Sequence, residues 1–323
     1  MPISVLLTEG YHPLLYETLS QWQDVRVVHL ATVRLEEVYQ ALREAQVWIQ
    51  RGALRVDENL LTQAPKLRLI IRAGSGTDHI DLGALAKHGI TLHTLPQANA
   101  MPVAEYVVAA LLILSRNFLL AHHALREKET WMRHPYAGRE LASLKVGIIG
   151  FGENGSRTAY LLRQLGAQVL AYDKYKFGFG GLGIREVSLS QLWEEAEVLS
   201  LHVPLTEETK NWVNRDFLRR FSRPILLINP ARGGIVCLPS LAEALQEGRV
   251  IAAALDTLPA EPPEKLSPED RAAWSYLRQH PAVFLTPHIA GLTQESEERL
   301  ARGILALLRW WIESRLEPQE KPI

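Results

Sequence analysis

The sequence predicts an α/β protein with two doubly wound parallel-sheet domains and a cleft between them. Three observations predict it. Short aliphatic and β-branched runs alternate with amphipathic segments through the first hundred residues, and the same alternation restarts at Lys145 after a long apolar stretch. The third is size: 323 residues, 47% hydrophobic and 22% charged, suit two domains of ordinary size with ample core. Strand–helix alternation calls for parallel strands joined by helices that cover both sheet faces. Ligands of such folds collect beyond the carboxyl ends of the strands.

In chain order, "ISVLLTE", "VRVVHL", "VWIQ", "LRLIIRAG" and "ITLHTL" read as buried strands. Between them "HPLLYETLSQW", "RLEEVYQALREA" and "DLGALAKHG" carry helical periodicity, the last closed by Gly89. Next, "MPVAEYVVAALLILSRNFLLAHHALREKETW" reads as one long helix with Pro102 at its start. It is apolar on more than one face, so it must be buried in a core or against a second subunit. In the second series "KVGIIG", "AQVLAYD", "VLSLHVP", "ILLINPAR", "VIAAALDTL" and "VFLTPH" are strands. "FGFGGLG" is a glycine-rich loop and "PAEPPEKLSPED" an irregular, acidic connection. "TQESEERLARGILALLRWWIESRL" is a closing helix with a frayed tail, "EPQEKPI".

A net charge of −1 gives no electrostatic case for nucleic acid or an anionic membrane, and neither is expected as a partner. The single cysteine, Cys237, cannot form an internal disulfide, which fits a reducing cytoplasm. The opening residues lack a basic signal-peptide region. The longest apolar stretch, "YVVAALLIL", is too short to span a bilayer.

Gly150, Gly152 and Gly155 stand in G-x-G-x-x-G spacing after a predicted strand and at the start of a predicted helix. The first glycine makes the turn, the second lets backbone N–H groups approach a pyrophosphate, and the third lets helix pack on strand. The helix N-terminus adds partial positive charge. Asp173, at the end of the next strand, can accept from a ribose 2′-OH and would repel a 2′-phosphate, which favours NAD over NADP. Two residues depart from the pattern: Glu153 brings negative charge near the pyrophosphate, and Asn154 replaces the apolar residue expected beneath the turn.

Arg232, Glu261 and His288 each lie just past the end of a predicted strand, so a parallel sheet would bring them to one edge. Guanidinium grips a carboxylate in a bidentate fork, imidazole moves a proton near neutral pH, and a neighbouring carboxylate favours imidazolium. With a nicotinamide, this set suits the interconversion of a 2-hydroxy and a 2-keto acid. Singly, Arg232 could cap a helix, Glu261 could be solvated, and His288 could be a satisfied buried histidine.

"VGIIGFGENG", "NPARGGIV", "ALDTLPAEPP" and "TPHIAGLT" resemble, in order, the D-isomer-specific 2-hydroxyacid dehydrogenases. The resemblance implies that Arg232 binds substrate carboxylate and keto oxygen, His288 is the general acid/base and Glu261 its partner. It implies that Asp256 meets the nicotinamide carboxamide, and that His202, Val203 and Pro204 wall the adenine pocket. Glu153, Asn154, Pro230, Ala231 and Gly291 are carried over as cofactor contacts. Ser75 and Gly76 match a loop whose N–H groups hold the substrate carboxylate. Residues 1–97 and 292–323 become a flavodoxin-like substrate-binding domain, and 98–291 a Rossmann NAD-binding domain. The long helix from Met101 or Pro102 resembles a dimer arm, implying a homodimer. No metal site is implied.

Within the family the first domain is most similar to the phosphoglycerate dehydrogenases. Arg51 and Arg72 match arginines that hold a substrate phosphate, with ion pairing to nearby acids as the competing reading. Arg133 matches an arginine that reaches across a dimer. The expected reaction interconverts 3-phosphoglycerate and 3-phosphohydroxypyruvate with NAD, in serine biosynthesis. The alternatives are a glyoxylate or hydroxypyruvate reductase and, from another class, an NAD-sensing corepressor-like binding protein. Cys237 stands where the family has aspartate, and a buried, inert thiol is expected. Neither a serine-binding regulatory domain after the last helix nor feedback through one is expected. "FGFGGLG" is longer than the family pattern.

Overall fold

The computed structural model describes residues 2–52, 54–129 and 131–316, so the tail "EPQEKPI" lies outside the described residues. The chain divides into two compact units, Met1–Asn99 with Leu292–Ile323, and Ala100–Gly291.

The first unit holds β1 (Ile3–Thr8), α1 (Pro13–Ser20), β2 (Val25–Leu30), α2 (Leu35–Leu42), β3 (Val47–Gln50), α3 (Glu58–Leu61), β4 (Leu69–Arg72), α4 (Leu82–Lys87) and β5 (Thr91–Thr94). The strands are all parallel in the order β2-β1-β3-β4-β5. This is a flavodoxin-like arrangement whose topological switch point lies between β1 and β3. Both faces are covered, so the strands read as continuous hydrophobic runs. Val5, Leu7, Ile49 and Ile71 pack against Leu300, Ile304 and Leu308 of the chain's last helix, Gln294–Leu316. Leu6, Trp48 and Ile70 pack on the opposite face with Leu42, Leu61 and Leu85. Asp57 and Asp81 cap α3 and α4 by accepting from the Leu60 and Ala84 N–H groups, and Gly89 leaves α4 with φ +64°.

The second unit holds α5 (Ala100–Ser115), α6 (Phe118–Lys128), β6 (Lys145–Ile149), α7 (Glu153–Gln164), β7 (Gln168–Tyr172), β8 (Ile184–Glu186), α8 (Leu189–Glu195), β9 (Val198–Leu201), α9 (Arg215–Arg219), β10 (Ile225–Asn229), α10 (Leu238–Gln246), β11 (Val250–Leu255), α11 (Pro268–Leu277) and β12 (Val283–Leu285). Its parallel sheet runs β12-β11-β10-β9-β6-β7-β8, the dinucleotide-binding order with one strand added, and switches between β6 and β9. The helical run Pro96–Ser115 is long and apolar enough to cross a membrane by length and composition, longer than the uninterrupted apolar stretch suggested. Its side chains Val107, Leu111 and Leu114 lie in this unit's core beside Val146, Ile148 and Leu162.

Three readings of secondary structure are corrected here. The long helix is two helices, because the returning chain crosses it. Arg139 N–H donates to the Ser115 carbonyl (2.8 Å), a Cβ on Gly138 would lie 2.4 Å from Arg116 Cα, and Asn117 turns left-handed at φ +54°. The glycine-rich loop is followed by an unanticipated strand, β8, whose Glu186 carboxylate accepts from the N–H groups of Gly178, Phe179 and Gly180. The acidic connection ends in α11: Ser267 accepts from Asp270 N–H at 3.1 Å and Pro268 takes the first helical position.

Cys237 is half-buried rather than buried, and it is the N-cap of α10 without a capping hydrogen bond. Aspartate could accept there from the Ser240 N–H. Cys237→Asp should stabilise the protein by about 1 kcal/mol, read as a Tm rise of about 2–4 °C by calorimetry. A lowered Tm would mean that the thiol's packing outweighs the cap.

Candidate active site

The glycine loop follows β6 at the β6/β9 switch point. Gly150 has φ +93°, and a Cβ there would meet the His202 carbonyl oxygen at 2.5 Å. A Cβ on Gly155 would lie 1.9 Å from the Gly150 carbonyl oxygen, so the first turn of α7 can sit on the loop only with glycine there. Gly152 has open space where its Cβ would be. Glu153 is exposed, and the Asn154 Oδ1 is buried without a hydrogen-bond partner among the described residues. Asp173 ties the loop to the end of β7: Oδ2 accepts from Phe151 N–H (2.7 Å), and Oδ1 accepts from the Tyr175 and Lys176 N–H groups. The glycine-rich loop covers the site's flank, where Phe179 stacks on Phe151 with centroids 4.2 Å apart. His202, 2.9 Å from the Ser200 hydroxyl, is pushed down to about 3 by burial and stays neutral. Val203 packs against the loop, and Pro204 is exposed. An open glycine cradle, a helix N-terminus and a carboxylate at the next strand's end fit a dinucleotide.

Beyond β10, the fully buried Asn229 shapes the turn that presents Arg232. Its Oδ1 accepts from Ala231 N–H (3.1 Å) across Pro230, and its Nδ2 donates to the Arg232 carbonyl (2.9 Å). The next residue explains the glycines. A Cβ on Gly233 would lie 1.9 Å from the Leu258 carbonyl carbon, so this turn rests directly on the one leading to Glu261. Leu258 N–H donates to Glu261 Oε1 (3.0 Å), and Glu261 Oε2 meets His288 Nδ1 at 2.8 Å.

His288 has φ +57°, a left-handed conformation uncommon outside glycine and worth explaining by function. Asp256 holds it there. Its carbonyl accepts from His288 N–H (2.7 Å), and its buried carboxylate accepts from the Ile289 and Ala290 N–H groups, both at 2.8 Å. Thr286 donates to the same carboxylate and lies 3.0 Å from the Tyr106 hydroxyl. In this structure Asp256 therefore braces the histidine turn, a role its spacing in the sequence did not suggest.

The bond to Glu261 is the largest influence on His288 and raises it above the ordinary imidazole value, against burial and the Arg232 charge. Burial alone would raise Glu261, but the bonds from His288 and Leu258 N–H and the Arg232 charge together hold it below the usual carboxylate range. Arg232 thus acts electrostatically on both partners. An apolar pocket lined by Leu258, Pro262, Trp274, Leu285 and His288 adjoins them. Gly291 closes the unit two residues past the turn.

In the first unit, Arg72 Nε donates to the Gly76 carbonyl (3.0 Å) and its Nη1 to Gln50 Oε1 (3.1 Å), which braces the loop carrying the exposed Ser75. Arg51 is bound in a fork by Glu297, with both contacts at 2.6 Å. That is the ion-pair alternative, made with an acid 246 residues away that no local pattern could reveal. Arg133 is exposed beside a short 3-10 turn.

Residues 108–290 match the family described as D-isomer specific 2-hydroxyacid dehydrogenase, NAD binding domain. The chain is 33% identical over 276 residues to the D-3-phosphoglycerate dehydrogenase of Mycobacterium bovis, covering 85% of this chain and 50% of that protein. It therefore spans about half the length of the curated phosphoglycerate dehydrogenases it matches. It is also 33% identical over 265 residues to the hydroxypyruvate reductase of Thermotoga maritima, covering 82% of this chain and 84% of that one. Among solved structures, the D-lactate dehydrogenase of Aquifex aeolicus, complexed with NAD and lactic acid, superimposes with a TM-score of 0.86 at 28% identity, over 97% and 96% of the two chains. The loop, the charge triad and these likenesses agree: the chain belongs to the D-isomer specific 2-hydroxyacid dehydrogenase family.

Proposed function

We propose that the protein is an NAD-dependent oxidoreductase that interconverts a D-2-hydroxy acid and its 2-keto acid. The observation that carries this reading is the His288–Glu261 bond of 2.8 Å, held by a left-handed turn and flanked by Arg232, in the same unit as an open glycine cradle. When bound, the nicotinamide supplies or accepts the hydride. Arg232 grips the substrate carboxylate and polarises the C2 oxygen. His288, oriented through Nδ1 by Glu261, gives a proton to that oxygen from Nε2 during reduction and takes it back during oxidation. Asp173, the glycine loop, Asn154 and the His202–Pro204 segment would hold the dinucleotide, with Pro230, Ala231 and Gly291 as further contacts. The Ser75–Gly76 loop of the first unit is assigned to the same carboxylate by its match to the family's loop.

Two substrates fit. The positions of Arg51 and Arg72 and the mycobacterial relative support 3-phosphoglycerate and its keto acid, and with them a place in serine biosynthesis. The Arg51–Glu297 fork and the Thermotoga maritima relative support hydroxypyruvate or glyoxylate. We favour the second on the strength of the fork. Exposed Phe118, Leu125, Trp131 and Met132 on and beyond α6 support a homodimer through that face.

Initial rates of NADH consumption with hydroxypyruvate, glyoxylate and 3-phosphohydroxypyruvate test the reading. A higher kcat/KM for the unphosphorylated acids is expected. A marked preference for the phosphorylated acid would return the first substrate, and tight NADH binding without turnover would point to an NAD-sensing binding protein. The pH profile has a definite sign. His288 must be protonated for reduction, so reduction should persist past neutrality and fall as pH rises through its raised pKa, while oxidation rises. In Glu261→Gln the reduction limb should break at lower pH, and an unmoved limb would exclude His288 as the acid. Stability follows the same linkage. The Glu261 contribution is lost as pH falls through its lowered pKa, and that of His288 as pH rises through its raised one.

A further inference from the structure

Arg51 directly follows β3, and Glu9 to His12 directly follow β1, so both segments stand at the switch point where a doubly wound sheet offers its ligand crevice. A recess there is lined by Gly10, Tyr11, His12, Gln294 and Glu297. Arg51 reaches two of these lining residues, with Nη1 and Nη2 each 2.6 Å from one oxygen of Glu297 and Nη1 also 3.0 Å from the Gly10 carbonyl. The two side chains are only 25% and 22% exposed. A second carboxylate is close. Glu9, at φ +67°, rests on the Gly52 backbone, where a Cβ would come within 1.7 Å of its Oε1. Its charge acts on Arg51. Arg72 donates to the Gly76 carbonyl and to Gln50 Oε1. The Arg51 charge is thus met by two carboxylates, which leaves little net positive charge for a dianion.

We propose that Glu297 is a specificity-determining residue: it occupies on Arg51 the place a substrate phosphate would take, and so turns the first unit against phosphorylated 2-keto acids and toward those with an uncharged tail. This rests on the dehydrogenase reading above. A phosphate entering the crevice meets one of two penalties. It lies beside an intact carboxylate, or it displaces Glu297 and leaves a largely buried carboxylate unpaired next to a dianion. Both are repulsive elements of the kind that separate similar ligands. A hydroxymethyl group or a hydrogen meets neither.

The test uses the full chain. kcat/KM is measured for hydroxypyruvate and for 3-phosphohydroxypyruvate in wild type, Glu297→Gln and Glu297→Ala. The Kd of D-glycerate and of 3-phosphoglycerate is measured by calorimetry on the NADH complex, where hydride transfer to these alcohols cannot occur. Wild type should favour the unphosphorylated ligand, and both variants should raise the phosphorylated-to-unphosphorylated ratio by about tenfold or more, through KM and Kd rather than kcat. Should Glu297→Ala fold poorly, Glu297→Gln keeps the shape and one hydrogen bond to Arg51 and carries the comparison. A wild type that already prefers the phosphorylated ligand, or variants in which both ligands change in parallel, would overturn the proposal while leaving the dehydrogenase intact. NADH binding with turnover of neither acid would overturn the dehydrogenase reading itself and this proposal with it.

Discussion

His288→Asn should lower turnover of a 2-keto acid by about 10²–10⁴-fold, the usual worth of a positioned general acid, with NADH affinity changed by less than about threefold. Asparagine is chosen because His288 sits at φ +57°, and asparagine tolerates the left-handed region better than most residues. The bonds that Asp256 makes to the Ile289 and Ala290 N–H groups then survive, and the turn stays in place. What is lost is the ring that Glu261 orients. Steady-state kinetics beside a fluorescence titration of NADH separates the two effects. Turnover within threefold of wild type would remove His288 from the chemistry and leave the Glu261 pair as a structural bond.

Gly155→Val should abolish measurable cofactor binding, with a loss of about 1–3 kcal/mol or more in stability from overpacking. The Cβ alone would stand 1.9 Å from the Gly150 carbonyl oxygen, a backbone atom that cannot swing aside, and 3.2 Å from the His202 Cβ. The loop must open, and the N-terminus of α7 must move away from where phosphates would lie. Gly152→Ala is the informative contrast. Among the described residues nothing beyond its chain neighbours lies within 4 Å of the new methyl group, so the fold should melt within about 1 °C of wild type while NADH binds more weakly. Equal NADH affinity in wild type and Gly152→Ala would mean that the open space beside Gly152 is not where the dinucleotide approaches.

Much of the fold was legible because buried parallel strands announce themselves. "KVGIIG" and "ILLINPAR" became β6 and β10, with Gly150 and Arg232 just past their carboxyl ends. β8 was missed because three residues after a glycine-rich loop carry no periodicity, and its role emerges only when Glu186 gathers three loop N–H groups. The helix break at Arg116 and Asn117 was missed because the apolar pattern continues through it. The cause lies in Gly138 and Arg139, which reach it from beyond a turn of the chain.

The sequence by itself determined the chemistry that local spacing encodes: strands, glycine turns, and an arginine, a glutamate and a histidine each placed at a strand's carboxyl end. A parallel sheet then aligns those ends, because its hydrogen bonding fixes their register. Only the tertiary structure decided which groups meet across long separations. It set Asn229 beneath Arg232, Asp256 beneath the histidine turn, and Glu297 on Arg51. The reason is physical. Hydrophobic periodicity specifies which face of an element is buried, whereas a hydrogen bond or ion pair between side chains depends on positions to within an ångström, and those are set by packing alone.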